Sequence, residues 1–248
     1  MNFLKKITIL SVLLFLLCNC SSQKTDPRKK FLQNAFLLAL IYEATKDYSN
    51  CRTYSGKPNN LFASNLYKDS FEQDTNFYTN IILGDSSMDL SSRIDGFLSN
   101  SSKSFAVSGN TLCDMKEQLT SIQTPSPSWV IIGTLGGNDV LRKYSTSNVI
   151  HSGNKLIEDI KTKYPSASIA GIAIHPTRIS YANQNKIPIH TALQPLLDCY
   201  LQPDSFFTYD TDGLPKEENF FTDDPIHYNS TIAWQIKNSL QTTCGIEL

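Results

Sequence analysis

From residue 79 onward the sequence alternates two kinds of segment, and that alternation most narrows the folds open to it. Short apolar runs fall at 79–84 (TNIILG), 104–108 (SFAVS), 128–134 (SWVIIGT), 168–174 (SIAGIAI) and 205–209 (SFFTY). Apolar runs this short, bounded by turn residues, read as buried strands. Between and after them lie stretches of helical character at about 88–99, 111–122, 147–163, 188–202 and 230–241. Strands alternating with helices pair in parallel through right-handed crossovers, with helices on both faces. One α/β domain over 79–248 is expected, with its working residues on loops beyond the carboxyl ends of the strands.

The region before residue 79 has another character. Lys5 and Lys6 precede a run, Ile7 to Leu17, that is apolar apart from Thr8 and Ser11 and leads into Cys18-Asn19-Cys20. The run is short for a membrane span, which takes about 20 residues, and suits the apolar core of a secretory signal peptide. The pattern Leu17-x-x-Cys20 resembles a bacterial lipobox, with residues 1–19 removed and Cys20 lipidated as the new N-terminus. Cys18 fits less well, because bulky Leu17 would flank the cut. An ordinary signal peptide cut nearby is the competing reading. Lys24, Arg28, Lys29 and Lys30 then lie in a tether at 20–30, where each cation gains about 1 kcal/mol beside an anionic membrane. Residues 31–78 read as a helix over 31–47 followed by a surface insertion rich in Asn, Ser, Lys and Asp.

Charge and cysteine content narrow the partners. With 22 basic against 23 acidic side chains, the chain offers no overall electrostatic grip on nucleic acid. Cys51, Cys113, Cys199 and Cys244 remain beyond the signal junction, and no C-x-x-C pair points to a zinc ribbon or redox motif. Export into an oxidising compartment favours disulfides, of which four cysteines allow three pairings. The preferred pairing joins Cys51 to Cys113 and Cys199 to Cys244, the second pinning a C-terminal helix to the preceding crossover; buried free thiols are the alternative.

Four short motifs sit at the expected strand ends and before the last helix. The first strand runs into Gly84-Asp85-Ser86. A serine hydroxyl becomes a useful nucleophile only beside a base, so Ser86 alone reads equally as a helix cap. The second strand leads to Gly109, where glycine lets a backbone N–H approach a developing oxyanion. The third leads to Gly136-Gly137-Asn138-Asp139, where the Asn138 amide is a candidate donor to the same oxyanion. A turn and a helix cap explain these two loops as well. The last motif, Asp224-Pro225-Ile226-His227, spaces a carboxylate so that it can fold back on an imidazole and fix its tautomer. Asp223 is a rival partner at a less suitable spacing. His175, after the fourth strand, is a reserve candidate; His151 and His190 read as surface or packing residues.

Taken in order, Gly84-Asp85-Ser86, Gly109, Gly136-x-Asn138-Asp139 and Asp224-x-x-His227 resemble the four sequence blocks of the SGNH hydrolases, also called the GDSL esterase/lipase family. The resemblance spans about 79–241 and implies a flavodoxin-like three-layer sandwich whose five parallel strands run in the order 2-1-3-4-5. It implies Ser86 as nucleophile, His227 as general base, Asp224 as its orienting acid, and an oxyanion hole of the Ser86 and Gly109 N–H groups with the Asn138 side chain. It implies no metal and no cofactor.

The resulting expectation is an exported, lipid-anchored serine hydrolase of ester or O-acyl substrates, whether small molecules, lipids or glycans. The same machinery would be an O-acyltransferase if a sugar hydroxyl outcompeted water. A surface binding or adhesion module on a hydrolase fold is the reading from a different class, since fold alone does not dictate function.

Overall fold

The structure is a computed structural model that describes residues 70–248. The expected signal segment, tether, 31–47 helix and following insertion, with Cys20 and Cys51, lie outside the described residues. Five strands form the sheet: β1 (Asn80–Leu83), β2 (Ser102–Ser104), β3 (Trp129–Ile132), β4 (Ser168–Ile172) and β5 (Cys199–Leu201). They run β2-β1-β3-β4-β5 with every pairing parallel, which is the topology the sequence resemblance implies. Among the described residues the helices that accompany them are α1 (Ser86–Ser92), α2 (Leu112–Ser121), α3 (Gly137–Leu141), α4 (Thr146–Lys163), α5 (Ser180–Leu193) and α6 (Ser230–Cys244).

Alternation along the strands divides the core into two layers. Ile81, Leu83, Val130 and Ile132 face one way and pack with Leu112, Leu119, Leu156, Ile160, Ile189 and Leu193 of α2, α4 and α5. Ile82, Ile131, Ala170 and Ile172 face the other way, onto Met88 of α1 and Ile232, Ile236 and Leu240 of α6. Both faces are covered, so the central strands read as continuous apolar runs.

The sequence expectation misplaces the fifth strand. Residues 205–209 do not join the sheet; Pro203–Phe206 is a 3₁₀ turn and the following loop has its own packing. Phe207 is buried there against the rings of Phe220 and His175, so the apolar content of this segment serves loop packing. The true β5 lies inside the stretch expected to be helical over 188–202. It is only three residues long, and Cys199 and Tyr200 are half-buried, too short a run to declare a period. The helix before it starts earlier, at Ser180, and carries Pro188 within it.

Two further boundaries shift. β2 is the polar edge segment Ser102–Ser104, although the N–H groups of Phe105 and Val107 still donate to Ile82 O and Gly84 O at 2.8 and 3.1 Å. Helix α1 stops at Ser92 rather than running to 99. The hydroxyls of Ser91 and Ser92 donate back to the carbonyls of Ser87 and Asp89, and Gly96 then adopts φ +71°, both of which oppose helix continuation.

Cys199 and Cys244 form a disulfide with Cα atoms 5.7 Å apart, joining β5 to the end of α6. Cys113, fully buried in α2, is disulfide-bonded too; the Cys51 half of the expected pairing lies outside the described residues. The 199–244 bridge closes a loop of 45 residues, and restricting such a loop in the unfolded chain stabilises by about 4 kcal/mol. Replacing Cys199 and Cys244 together by Ala is expected to lower the free energy of unfolding by roughly 2–4 kcal/mol in urea titrations. An unchanged midpoint and slope would show that the bridge adds no stability.

Candidate active site

The site begins where β1 ends. Gly84 leads into Asp85, whose side chain caps α1 by accepting the Ser87 N–H at 3.0 Å. The Thr134 hydroxyl, from the loop after β3, donates to the same carboxylate oxygen at 3.1 Å. Ser86 is thereby fixed as the first residue of α1, half-exposed above the sheet. A Cβ on Gly84 or Gly133 would stand 2.8 or 2.9 Å from Met88 Cβ, closer than real Cβ atoms approach. Two glycines at adjacent strand ends therefore let α1 sit close enough for its first turn to hold Ser86 at the sheet edge. Burial pushes the Asp85 carboxyl up, against the opposing hydrogen bonds from Ser87 and Thr134 and the nearby His227.

The partner loop comes from the far end of the chain. Residues 220–228 form a small hairpin-like turn, closed by the antiparallel bridge between Phe220 and Tyr228 and by the Phe221 N–H donating to His227 O at 3.1 Å. Within it Asp224 Oδ1 accepts the N–H groups of Ile226 and His227 at 2.7 and 2.9 Å. Its other oxygen, Oδ2, lies 2.7 Å from His227 Nδ1. Burial alone would raise the Asp224 carboxyl, but the two backbone N–H groups and the His227 ring together hold it below the usual carboxylate range. Asp223, the rival acid, is exposed and has left-handed backbone at φ +59°; the ring contact belongs to Asp224.

His227 Nε2 lies 2.6 Å from Ser86 Oγ. A carboxylate accepting from Nδ1 leaves Nε2 unprotonated and able to accept the serine proton. Three side chains separated by as many as 141 residues thus make one continuous hydrogen-bonded line.

Gly109 lies in the turn after β2, and Asn138 is in the first turn of α3. Gly109 has φ +85°, a conformation in which an L side chain is strained, and its carbonyl accepts from Arg142 Nη2 at 2.8 Å. The Asn138 amide donates to Asn110 O at 3.0 Å. These two bonds tie the turn after β2 to α3, a helix the sequence reading took for a turn. Asn138 and Ser86 line one small pocket together with Leu141, Ile174, His175 and Ala182.

The reserve candidate His175 is buried in this pocket wall. Its Nε2 is 2.8 Å from Ile226 O, and its ring packs on Phe207 and edge-on against Tyr228. Burial pulls its pKa down to about 4. Through its bond to Ile226 O the His175 ring supports the loop that carries His227. Burial likewise lowers His190 to about 4; its Nε2 accepts the Ile174 N–H at 3.0 Å. His151 is half-buried within α4. Residue types alone carry no signal for the supporting roles of Asp85, Thr134, His175 and His190, because each depends on burial by distant elements. Among the described residues no cluster of three or more His, Cys, Asp or Glu side chains is placed to hold a metal ion.

Solved structures share this fold. A Streptococcus pneumonia protein provisionally named a platelet activating factor superposes with TM-score 0.58 at 16% identity, covering 87% of this chain and all of its own. A GDSL-like lipase from Bacteroides thetaiotaomicron gives 0.53 at 14% identity, over 73% of this chain and 98% of its own. The C-terminal domain of Drosophila Oskar gives 0.54 at 16% identity, over 73% and 99%. No protein-family model and no curated protein matches the chain.

Asp139 follows Asn138 and anchors α3 from below. It is buried and accepts the Leu112 N–H at 3.0 Å, and its Oδ1 has no partner among the described residues. Burial, aided by the nearby Asp114, raises its pKa from 3.8 to about 7. A carboxyl raised on folding contributes stability that is fully present below the unfolded pKa and lost as pH rises through the folded one. Asp139→Asn abolishes that dependence. Relative to the wild type, the variant is expected to gain roughly 2–3 kcal/mol between about pH 5 and pH 9, read by chemical denaturation at both. A difference independent of pH would refute the buried, raised carboxyl.

Proposed function

We propose that this protein is a serine ester hydrolase of the SGNH type, working through an acyl-enzyme. The observation that carries the reading is the line Asp224–His227–Ser86, with contacts of 2.7 and 2.6 Å. In the proposed reaction Ser86 Oγ attacks the ester carbonyl carbon while His227 Nε2 takes its proton. Asp224, held ionised by three hydrogen bonds, stabilises the imidazolium. The carbonyl oxygen, now an oxyanion, accepts from the Ser86 and Gly109 N–H groups and from the Asn138 amide. That amide is pre-aimed by its bond to Asn110, which matters because such a donor contributes most when it need not reorganise. The imidazolium then protonates the leaving alcohol. Water, deprotonated by His227, attacks the acyl-enzyme and releases the acid.

The same fold includes the GDSL-like lipase, which supports the reading over a surface binding module. The hydrogen-bonded line favours the enzyme, because binding alone gives no reason for a serine, an imidazole and a carboxylate to meet in this order. Ser86→Ala is expected to remove at least a thousandfold of kcat on a short-chain aryl ester while leaving the melting temperature nearly unchanged. A fluorophosphonate should label Ser86 in the wild type. Undiminished turnover in the variant would end the hydrolase reading.

We also propose that the protein is exported and held to a bacterial membrane through lipid on Cys20. Lys5 and Lys6, the apolar run and Leu17-x-x-Cys20 support this, and the Cys199–Cys244 disulfide suits an oxidising compartment. Expressed in a bacterium, the wild type is expected to incorporate labelled palmitate and fractionate with membranes, and Cys20→Ser to do neither. Equal incorporation by both would place the lipid elsewhere or nowhere.

A further inference from the structure

The turn that carries Gly109 is held by β1, α3 and α1 together. Its backbone is tied to the end of β1, the Val107 N–H donating to Gly84 O and the Asn110 N–H to Val107 O, both at 3.1 Å. The Asn110 side chain also reaches Gly84 O at 3.3 Å, and Gln118 Oε1 at 3.1 Å. From α3, Asn138 donates to the carbonyl of Asn110, and Arg142, which caps that helix, donates to the carbonyl of Gly109. From α1, Asp89 Oδ2 accepts the Ser108 hydroxyl at 2.7 Å. Asp89 is buried, and the Arg93 guanidinium meets it side-on, Nε to Oδ1 at 3.0 Å and Nη2 to Oδ2 at 2.9 Å. Such a bidentate pair fixes the plane of the carboxylate as well as its place. Amid these bonds the Gly109 N–H donates to no group among the described residues.

We propose that Asp89 is a positioning residue of the reaction, setting the Gly109 N–H relative to the Ser86 N–H through its bond to Ser108; the proposal rests on the hydrolase reading above. In that reading two backbone donors from different loops converge on one oxygen. Ser86 and Asp89 stand three residues apart on α1, which makes them neighbours on the helix surface. Ser108 directly precedes Gly109, so the peptide unit that bears the Gly109 N–H begins at the residue Asp89 holds. One carboxylate on the nucleophile's own helix therefore sets the spacing of the two donors before substrate arrives. Asp89 bonds none of Ser86, Asp224 and His227, so its influence on the chemistry passes through Ser108. Preorganisation of this kind gives an oxyanion donor its effect, and losing a donor outright costs about a hundred- to a thousandfold in kcat. A donor that is present but loosened loses part of that factor, because small misplacements are costly in a near-attack geometry.

The test compares Ser108→Ala, Asp89→Ala and the two combined with the wild-type full chain on a short-chain aryl ester. Each single variant is expected to lower kcat roughly ten- to a hundredfold, with KM changed by less than about twofold. The double variant is expected to be no slower than the slower single one, because either change opens the same link. Affinity for phenylboronic acid, whose tetrahedral adduct on Ser86 Oγ sets an oxygen where the oxyanion forms, is expected to fall by the factor lost from kcat. Ser108→Thr, which keeps the hydroxyl, is expected to recover most of the rate. Ser108 is half-buried, so its variants decide the matter if Asp89→Ala fails to fold. A kcat for Ser108→Ala within about twofold of the wild type would overturn the proposal and leave the hydrolase standing. So would a loss of kcat with boronate affinity unchanged, the mark of a merely structural effect. Absence of Ser86-dependent turnover in the wild type, with no fluorophosphonate labelling of Ser86, would overturn the hydrolase reading and the proposal with it.

Discussion

How closely α1 approaches the sheet decides whether this site exists. Met88 is fully buried and lies over Gly84 and Gly133, where a Cβ on either glycine would come within 2.9 Å of it. With that approach allowed, the Asp85 carboxylate bonds Ser87 and Thr134 at once and fixes the first turn of α1 against the loop after β3. Ser86 is the side chain this leaves at the rim. A larger residue at either glycine would lift the helix, separate Asp85 from Thr134 and carry Ser86 away from His227.

The second half of the site is built by a different economy of bonds. Asp224 satisfies two backbone N–H groups with one oxygen and the His227 ring with the other, so the polar middle of a nine-residue turn closed by the Phe220–Tyr228 bridge holds its shape through one carboxylate. His175 braces that turn at Ile226 O, and the aromatic cluster of Phe207, Phe220 and Tyr228 seats it on the sheet. The disulfide between Cys199 and Cys244 then ties the helix that follows the turn to the edge strand β5. Two loops far apart in sequence are therefore each fixed locally before they meet.

The parts legible in sequence are those that depend on short spacing or on a continuous apolar run. Four of five strands could be placed because the central ones are buried on both faces, and the Asp224-x-x-His227 pairing because it closes within one turn. β5 could not, since three residues, two of them half-buried, carry no period and the apolar FFTY segment nearby is spent on loop packing. The approach of Ser86 to His227 was legible only through the order of the motifs and their resemblance to a known set of blocks. Asp85 and His175 stand out in the sequence as a motif residue and a reserve candidate, but the supporting roles of Asp85, Thr134, His175 and His190 were not legible, because a polar side chain does not announce in sequence that distant elements will bury it.

The central claim is that Asp224, His227 and Ser86 act as one proton-transfer unit. The most direct measurement is kcat for Ser86→Ala, for His227→Ala and for the two combined, on one ester under saturating conditions. If the line works as a unit, either single change removes nearly all that the pair contributes, and the double variant retains the same residual rate as the singles. If the two losses multiply instead, the residues contribute independently, and the hydrogen-bonded line is not the engine of the reaction.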